Sequence, residues 1–274
     1  MPAPAAGKAP LTAYVRTLNE ARGIAEVVRA AARVADEVIV IDSGSTDGTP
    51  ALAAAEGARV IAQDWLGQGL QKRAGEAAAR HDWLLDLDAD EVLSEPLIEE
   101  IRALFRGGEP PAPVYALRLV IVAPSGRVWR GFSESRRAKL YDRRRLRMPA
   151  HRRWDQLELP PGLAAVPLRG ELRHHAWDSL ATLAAKANAA STRGAEHSRL
   201  KSRPVLVLRV LFGLPFHLLR HVVLRGRWRG GLEGVTAGVV LGVGRWLRDA
   251  KMLEIHARRQ IGRASCRERV SFTV

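Results

Sequence analysis

Apolar runs separated by amphipathic segments fill the first part of the chain. Four of the runs are predicted to be strands, over 11–15, 37–41, 58–62 and 82–87. Helices are predicted after them, over 21–34 with Asn19 as the N-cap, and over 50–56, 70–80 and 96–105. Continuous apolar strands that alternate with helices are typical of parallel sheets covered on both faces. The pattern therefore predicts an α/β fold with a Rossmann-like, mostly parallel sheet and α-helices on both faces.

From Val114 onward the pattern changes to short apolar strands joined by turns. These strands are predicted over 114–122, 127–129, 138–141 and 166–169, the last leading into Leu172. They indicate an antiparallel extension of the sheet. A helix over 179–200 is predicted next, with Asp178 as its N-cap.

Two strongly apolar runs, 204–219 and 232–247, follow that helix and have arginines at their ends. The first run is interrupted by Arg209 and by Gly213-Leu214-Pro215, and the second by Glu233 and Arg245. Both therefore fall short of the roughly 20 apolar residues that a membrane-spanning helix needs. Apolar faces bordered by arginine, with Trp228 and Trp246 nearby, suit an amphipathic helical hairpin lying in a membrane surface. Two ordinary core helices are the alternative, and the sequence leaves both open.

The 274 residues carry a formal net charge of +14, which indicates a polyanionic partner such as nucleic acid, an anionic membrane or a phosphorylated substrate. Aromatic residues are sparse among the basic residues of 136–153, which argues against stacking on single-stranded nucleic acid. Cys266 is the single cysteine, so no internal disulfide is expected. Residues 1–10 lack the apolar core of a secretion signal and are predicted to be a disordered, cytoplasmic N-terminus.

The last residues of the chain, 261–274, begin with the string IGRASCRERV. This string resembles the translation of a common sequencing adapter that has been read through into an open frame. We therefore expect a non-native, adapter-derived tail that includes Cys266.

Four carboxylates, Asp86, Asp88, Asp90 and Glu91, lie within six residues at the end of an apolar strand. Acids packed there repel one another unless a cation compensates them. Asp88 and Asp90 are two residues apart on a tight turn and can both face one ion. Such sparse oxygen ligands suit Mg²⁺ or Mn²⁺ that also binds substrate phosphates. The stretch predicts a metal site, with an exposed acidic turn as the alternative.

A loop of small, hydroxylated and acidic residues, 42–49, follows the second predicted strand. Open α/β sheets bind ligands in loops at the carboxyl ends of their strands. The same residues are also common turn formers, so a ligand loop and a capped turn carry equal weight. Lys72 and Arg73, in the first turn of a later helix, oppose its dipole and indicate either a nearby anion or a solvated helix face.

Four motifs occur in order between residues 17 and 91. They are Thr17-Leu18-Asn19-Glu20, the stretch 35–47 that ends in Asp42-Ser43-Gly44-Ser45-Thr46-Asp47, Gly67-Gln68-Gly69-Leu70-Gln71-Lys72 and Leu87-Asp88-Ala89-Asp90-Glu91. Their order and spacing closely resemble the family-2 glycosyltransferases of GT-A fold, in particular the branch of the lipopolysaccharide core glucosyltransferases. The close resemblance covers about residues 11–105 and becomes looser over 129–254.

The resemblance implies a metal-dependent, inverting transfer of a sugar from a nucleotide diphosphate donor. It also implies which residues bind the nucleotide: Thr17, Asn19, Glu20, Asp42, Ser43, Lys72 and Asp88. Asp88 and Asp90 would hold the Mg²⁺ or Mn²⁺, with Asp90 as the direct ligand.

Inversion requires a carboxylate that accepts the proton of the acceptor hydroxyl. Many relatives carry Val-His-Glu where this chain has Arg153-Trp154-Asp155-Gln156. Asp155 is therefore the expected catalytic base, and Glu158 is the fallback.

The resemblance further implies a UDP-sugar donor, with glucose as the sugar, and an anionic glycolipid acceptor such as a lipopolysaccharide core. The enzyme would be cytoplasmic and peripheral on the inner face of the cell membrane, with no nucleic-acid partner. Residues 11–175 would form the GT-A catalytic domain, with a nucleotide-binding half at 11–106 and an acceptor half at 114–175. Residues 176–260 would form a helical, membrane-surface-associated region.

Two other functions remain open at this stage. One is a non-catalytic basic module that binds anionic lipid or RNA, which the altered region around Asp155 favours. The other is a nucleotidyltransferase that uses the same pair of aspartates.

Overall fold

The computed structural model describes the backbone of residues 9–271 and the side chains of residues 10–258. Most of the predicted disordered N-terminus, and the side chains of the predicted adapter-derived tail with Cys266, lie outside the described residues. The chain divides into two compact units. The first comprises Met1–Val122 with Glu134–His175, and the second comprises Ala123–Ser133 with Ala176–Val274.

The described residues of the first unit form eight strands and four helices. The elements are β1 (Ala9–Thr17), α1 (Ile24–Ala32), β2 (Ala35–Asp42), α2 (Thr49–Ala55), β3 (Arg59–Ala62), α3 (Gln68–Ala78), β4 (Trp83–Asp88), β5 (Glu91–Leu93), α4 (Glu95–Leu104), β6 (Val114–Val122), β8 (Ser135–Asp142) and β9 (Val166–His174). The short strand β7 (Val128–Trp129) belongs to the second unit.

The strands of the first unit form one mixed sheet in the order β3-β2-β1-β4-β8-β6-β9-β5. Strands β1 to β4 run parallel to one another. Strand β8 then pairs antiparallel with both β4 and β6, which makes the predicted antiparallel extension. The predicted α/β class, with a mostly parallel first half, is confirmed.

The apolar side chains of the central strands point alternately to the two faces of the sheet, and each face carries its own hydrophobic core. Val15, Val40 and Leu87 pack with α1 and α4 on one face. Tyr14 and Ile41 pack on the other face with the segment that follows β8. Because side chains alternate along a strand, continuously apolar strands cover both faces, as expected of a sheet between layers.

Two local predictions are wrong, and one strand was missed. Asn19 is not the N-cap of α1, because a turn intervenes in which the N–H groups of Gly23 and Ile24 donate to the carbonyl of Glu20. The N-cap of α5 (Leu180–His197) is Ser179, whose hydroxyl accepts the N–H of Thr182, and not Asp178. Strand β5 was not predicted, since its three residues directly follow the acidic turn and carry no periodic signal.

The second unit is mainly helical. Its helices are α5 (Leu180–His197), α6 (Arg203–Leu219) and α7 (Gly231–Ser271), with two short helical turns, Arg220–Leu224 and Arg227–Gly230, between α6 and α7. The predicted C-terminal helical region is confirmed. Pro215 lies inside α6 without ending it, although the sequence suggested an interruption there.

A buried carboxylate explains the cations within the apolar run of α6. Asp249 of α7 is completely buried. Its oxygens accept from Lys201 Nζ at 2.7 Å and from Arg209 Nε at 2.8 Å. A buried charge is tolerated when it is paired and hydrogen-bonded, so Arg209 joins the two helices and does not interrupt α6.

The outer face of α6 is apolar and exposed. Within the described residues, one helical segment, Arg203–Leu224, is long and apolar enough to cross a membrane by length and composition, and only 17% of its most apolar window is buried. Leu208, Leu211 and Phe212 are 60%, 66% and 68% exposed. Such a continuous exposed apolar face is uncommon on a protein surface and marks an interaction site.

Candidate active site

The carboxyl ends of β1, β2 and β4 meet at one edge of the sheet in the first unit. In register, Arg16 of β1 lies beside Asp88 of β4, and Thr17 lies beside Asp42 of β2. A cavity of about 640 Å³ opens at this edge. We call it the first cavity; it is lined by Arg16, Thr17, Leu18, Glu20, Ser43, Trp65, Asp88, Ala89, Asp90 and His174.

Asp42 organises the loop that follows β2. One oxygen of its buried carboxylate accepts the N–H groups of Gly44 and Ser45, and the other accepts the hydroxyl of Ser45. Asn19, in a left-handed conformation with φ of 54°, accepts the N–H of Thr46. The loop is therefore held by its own side chains and by the turn after β1, which fixes the rim of the first cavity.

The first cavity brings together most of the predicted nucleotide and metal residues. Thr17, Glu20, Ser43, Asp88 and Asp90 line it. The hydroxyl of Thr17 is buried and has no hydrogen-bond partner among the described residues. An unpaired buried hydroxyl is costly unless a ligand satisfies it, so this atom favours a polar ligand here.

Three predicted nucleotide-binding residues do not line the first cavity. Asn19 and Asp42 support the loops around it. Lys72 is buried on the other side, where its ammonium lies 2.6 Å from the carboxylate of Asp86. Lys72 is therefore not a solvated cation, and its predicted role near the donor stays a prediction.

Internal cations compensate the acidic stretch at the end of β4. Arg16 Nε donates to Asp88 at 2.6 Å, and Lys139 Nζ lies 2.7 Å from Glu91. With Lys72 on Asp86, three cations of the protein face the four acids that the sequence places together. Repulsion among the acids alone therefore does not require a metal ion, contrary to the starting argument from the sequence.

The charges around Asp88 fix its ionisation. Burial alone raises the pKa of this carboxyl, but Lys139, Lys72 and Arg16 outweigh that effect and hold the pKa well below its usual range. Glu91 behaves differently, because burial and the charge of Asp88 raise its pKa to about 7 against the attraction of Lys139. Asp88 is thus an ionised acceptor at neutral pH.

A β-bulge directs Lys139 into this cluster. Tyr115 pairs with Leu140 and the next residue, Ala116, pairs with Ala138, so Lys139 has no residue opposite it in the pairing of β6 with β8. Bulges re-aim a side chain and are common beside active sites. The extra residue turns the ammonium toward the end of β4.

Asp90, the other aspartate of the predicted metal pair, contacts His174. Its side chain is 19% exposed and lies 3.3 Å from Nε2 of His174. Burial lowers the pKa of His174, but the hydrogen bond to Asp90 and the nearby carboxylates raise it overall. The backbone carbonyl of Asp90 accepts the N–H of His175, whose exposed side chain takes no part.

The metal prediction fits only an ion that the protein holds loosely. Within residues 10–258, no group of three or more His, Cys, Asp or Glu side chains is arranged to hold a metal. Asp88 and Asp90 both line the first cavity, and Asp88 is already engaged by Arg16. This donor set suits Mg²⁺ or Mn²⁺ bound mainly by water and substrate phosphates, with Asp90 as the freer ligand.

A second cavity, of about 410 Å³, lies on the other side of Asp88 and His174, which line both cavities. Asp155 lines this second cavity. Its carboxylate lies 2.8 Å from Arg16 Nη2 and 3.8 Å from Lys72 Nζ. Glu158 is exposed and is not among the residues that line either cavity.

Arg16 joins the two cavities. Its guanidinium donates through Nε to Asp88, through Nη1 to the side-chain oxygen of Gln68, and contacts Asp155 through Nη2. The three predicted site elements, at the ends of β1 and β4 and before β9, are thereby fixed around one planar cation.

Sequence reasoning missed Arg16 and Lys139 as parts of the site. A usable signal existed for Arg16, which directly precedes Thr17 at the end of a buried strand where a cation is unexpected. Lys139 offered a similar signal, because it lies within the apolar strand 138–141. Only the bulge and the strand order bring it beside Asp88, and neither can be derived from composition.

An open sheet with parallel strands β1 to β4, an antiparallel extension and a cavity at its carboxyl edge defines the GT-A class of glycosyltransferase fold. Residues 12–157 match the family described as glycosyl transferase family 2. This match covers more than half of the chain, and the protein therefore belongs to that family and is a glycosyltransferase.

Relatives from bacteria match over most of the chain. An uncharacterised glycosyltransferase of Rickettsia felis is 28% identical over 256 residues, which are 89% of each chain. The lipopolysaccharide core biosynthesis glycosyltransferase LpsC of Rhizobium meliloti is 27% identical over 255 residues, 91% of this chain and 94% of that one. The predicted resemblance to the lipopolysaccharide core branch is thus confirmed.

Among solved structures, one similar chain is glucosyl-3-phosphoglycerate synthase from Mycobacterium tuberculosis in complex with Mn²⁺, UDP-glucose and phosphoglyceric acid. It is 32% identical with a TM-score of 0.28, and the match covers 32% of this chain and 35% of that one.

Proposed function

We propose that this glycosyltransferase transfers glucose from a UDP-sugar donor, with inversion, to an anionic glycolipid such as a lipopolysaccharide core. The observation that carries the proposal is the pair of cavities that share Asp88 and His174. A donor in the first cavity and an acceptor in the second would meet beside the end of β4. The similarity to LpsC, named for lipopolysaccharide core biosynthesis, supports the acceptor class.

The first cavity suits the nucleotide diphosphate. The unpaired hydroxyl of Thr17 and the hydroxyl of Ser43 supply polar contacts, and the half-exposed ring of Trp65 supplies a surface for a base. Arg16, at the same wall, carries positive charge toward the phosphates. Asp42 and Asn19 act from behind by holding the loop.

Mg²⁺ or Mn²⁺, when bound, would compensate the charge of the diphosphate leaving group, and Asp90 and Asp88 would hold it. The remaining chemistry belongs to side chains of the protein. Asp155 accepts the proton of the acceptor hydroxyl while that oxygen attacks the anomeric carbon. The bond from that carbon to the diphosphate oxygen breaks with its electron pair, and UDP leaves.

Asp155 is better placed for this role than Glu158. It lines the second cavity, and its contacts with Arg16 and Lys72 hold the carboxylate in place there. Glu158 is exposed to solvent. Asp155 is one methylene shorter than the glutamate that many relatives carry here. Its contact with Arg16 of β1, at 2.8 Å, holds the shorter side chain in place.

The second unit supports a location at the inner face of the cell membrane. Its exposed α6 face is bordered by cations at both ends, including Arg203, Arg220 and Arg225. An apolar face with a cationic border matches the interface of an anionic bilayer, where the acceptor lipid resides.

Two measurements test the reaction. Unfolding temperature is followed while UDP, UDP-glucose, UDP-galactose and GDP-mannose are titrated with and without Mn²⁺, since a ligand at 100 times its Kd stabilises by about 2.7 kcal/mol. UDP release is then measured with lipopolysaccharide core in mixed vesicles. We expect stabilisation by UDP and UDP-glucose that depends on Mn²⁺.

Three variants separate metal-dependent donor binding from catalysis of transfer. Asp90→Asn should lose the Mn²⁺-dependent stabilisation, and Asp155→Asn should keep donor binding but lose about 10²- to 10⁴-fold in transfer rate. Glu158→Gln is the matched control and should retain both. Diphosphate as product would instead identify a nucleotidyltransferase. Absence of any nucleotide-sugar binding, with salt-sensitive RNA or lipid binding, would identify a basic binding module.

A further inference from the structure

The second cavity has a cationic wall that the reaction described above does not use. Arg136 and Arg137 of β8 both line it, and Asp155 lines it as well. Neighbouring cations at the floor of the cavity are already engaged, since Lys72 pairs with Asp86 and Lys139 pairs with Glu91.

Arg136 and Arg137 have no such compensation. Arg136 donates to the backbone carbonyl of Leu168 at 3.2 Å, and has no carboxylate partner among residues 10–258. Arg137 is partly buried, and in the part of the chain with described side chains it has no hydrogen-bond or ion-pair partner. A partly buried cation without a partner is unfavourable unless an anion binds.

Two carboxylates of this part of the sheet, Glu134 and Glu171, pair with a third arginine, Arg118. Arg118 lies opposite Arg136 in the pairing of β6 with β8. Its guanidinium lies 3.1 Å from Glu171 and 3.5 Å from Glu134. Of these three arginines, Arg118 is therefore neutralised by the protein, whereas Arg136 and Arg137, which line the cavity, are not.

The acids that line the cavity do not change this balance. Asp86, Asp88, Glu91 and Asp155 are each within 2.8 Å of a cation other than these two arginines. The wall formed by Arg136 and Arg137 thus adds uncompensated positive charge to a cavity that also holds the proposed base.

We propose that Arg136 and Arg137 form an anion subsite for the acceptor, which takes a phosphate or carboxylate group carried by the acceptor sugar. The inference rests on the proposed function, and it specifies the acceptor as a sugar that bears its anionic group close to the hydroxyl that reacts. Two guanidinium groups bind such anions through paired N–H donors. A cavity of about 410 Å³ is within the range of small-molecule sites.

The subsite also orients the acceptor. An anionic group fixed at one wall and a hydroxyl directed at Asp155 make two attachment points within one cavity. Holding reactants in the correct geometry supplies a large part of many enzymatic rate enhancements. Loss of the arginines should therefore reduce transfer to anionic acceptors and spare any transfer to neutral ones.

Calorimetric titration of the full chain with four probes tests the proposal: inorganic phosphate, glucose 6-phosphate, glucuronate and glucose. We expect both anionic sugars to bind at least about tenfold more tightly than glucose, which corresponds to one charge-assisted contact. The two sugars distinguish a phosphate from a carboxylate as the preferred group. Arg136→Gln and Arg137→Gln should each weaken binding of the preferred anionic sugar about tenfold.

Arg169→Gln is the matched control, because Arg169 is an exposed strand arginine that lines neither cavity, and it should leave sugar binding unchanged. Equal affinity for glucose and both anionic sugars, or equal anion binding in the double variant, would overturn the subsite. UDP titration of the same variants reports on the first cavity. A chain that binds UDP but no anionic sugar refutes the subsite alone, whereas failure of UDP binding refutes the proposed function.

Discussion

Glu37 is a buried carboxylate at the amino-terminal part of β2, away from both cavities. It accepts from the hydroxyl of Thr12, from Arg59 and from the backbone N–H of Arg80, each at 2.8 Å. Burial raises its pKa, but these hydrogen bonds outweigh burial and the pKa lies below its ordinary value of 4.5. Because the folded-state pKa is lowered, the stabilising contribution is present above pH 4.5 and is lost as the pH falls below it.

We expect Glu37→Gln to lower the free energy of unfolding by about 1–3 kcal/mol at neutral pH. The difference from the wild type should shrink as the pH falls below 4.5, because the wild-type carboxyl becomes protonated. Urea unfolding at a series of pH values measures both effects. Glu99→Gln, which removes an exposed pair with Arg102, should change stability by less than about 0.5 kcal/mol. A pH-independent difference for Glu37→Gln would contradict the linkage.

At the scale of single residues, the sequence predicted the anions of the site and Lys72, but neither Arg16 nor Lys139. Asp88 and Asp90 were found because acids at the end of an apolar strand stand out locally. Arg16 and Lys139 acquire their roles only when β1 and β8 lie on either side of β4, which is a matter of strand order. The roles predicted for Asp155 and the nucleotide residues stay predictions.

Helix α3 fixes the segment that carries Asp155. The N–H groups of Gln68 and Gly69 donate to the carbonyls of Arg152 and His151 at 2.8 and 3.0 Å. These carbonyls satisfy N–H groups at the start of α3, which have no partner within the helix. A Cβ at Gly69 would lie 2.3 Å from the carbonyl oxygen of Trp154 and 2.4 Å from that of Pro149.

We therefore expect Gly69→Ala to displace the segment before Asp155. The rate of transfer should fall at least about tenfold, since small displacements of catalytic groups are costly, and UDP binding should fall less. Gly107→Ala, where a Cβ would meet no atom within 4 Å, is the control. Steady-state kinetics and UDP titration of both variants, with circular dichroism to confirm folding, measure this. An unchanged rate in Gly69→Ala would show that the contact does not position the base.

At the scale of elements, strands were predictable where they are long and continuously apolar. The ends of α1 and α5 were not, because capping depends on turn geometry that several neighbouring polar residues can supply. Pro215 shows the same limit, since packing of α6 against α7 keeps the helix continuous where the sequence indicated an interruption. Tertiary contacts override local preference in each case.

At the scale of the whole molecule, the net charge of +14 is shared between the proposed site for anionic substrates and a second unit with an exposed apolar face. Periodicity predicted the class of fold and the helical region. It left open whether the apolar runs lie in a core or at a membrane. The exposure of one face of α6 favours the membrane, and the buried pairs on Asp249 argue against a helix surrounded by lipid on all sides.

Binding to vesicles that contain anionic lipid tests the role of this exposed face. We expect the triple variant Leu208→Gln, Leu211→Gln, Phe212→Gln to bind at least about 100-fold more weakly than the wild type, because burying each large apolar side chain contributes about 1.5–3 kcal/mol. Wild-type binding should weaken from 0.1 to 1 M salt without vanishing, since salt screens the arginines but spares apolar insertion.

Leu52→Gln with Val166→Gln provides the control, because both residues are 41% exposed but lie in the first unit. This double variant should bind vesicles like the wild type. If the triple variant binds normally and salt alone releases the protein, attraction is purely electrostatic and the α6 face is not inserted. Transfer to soluble acceptor fragments separates the two units functionally, because it should persist in the triple variant when transfer to vesicle-bound glycolipid is lost.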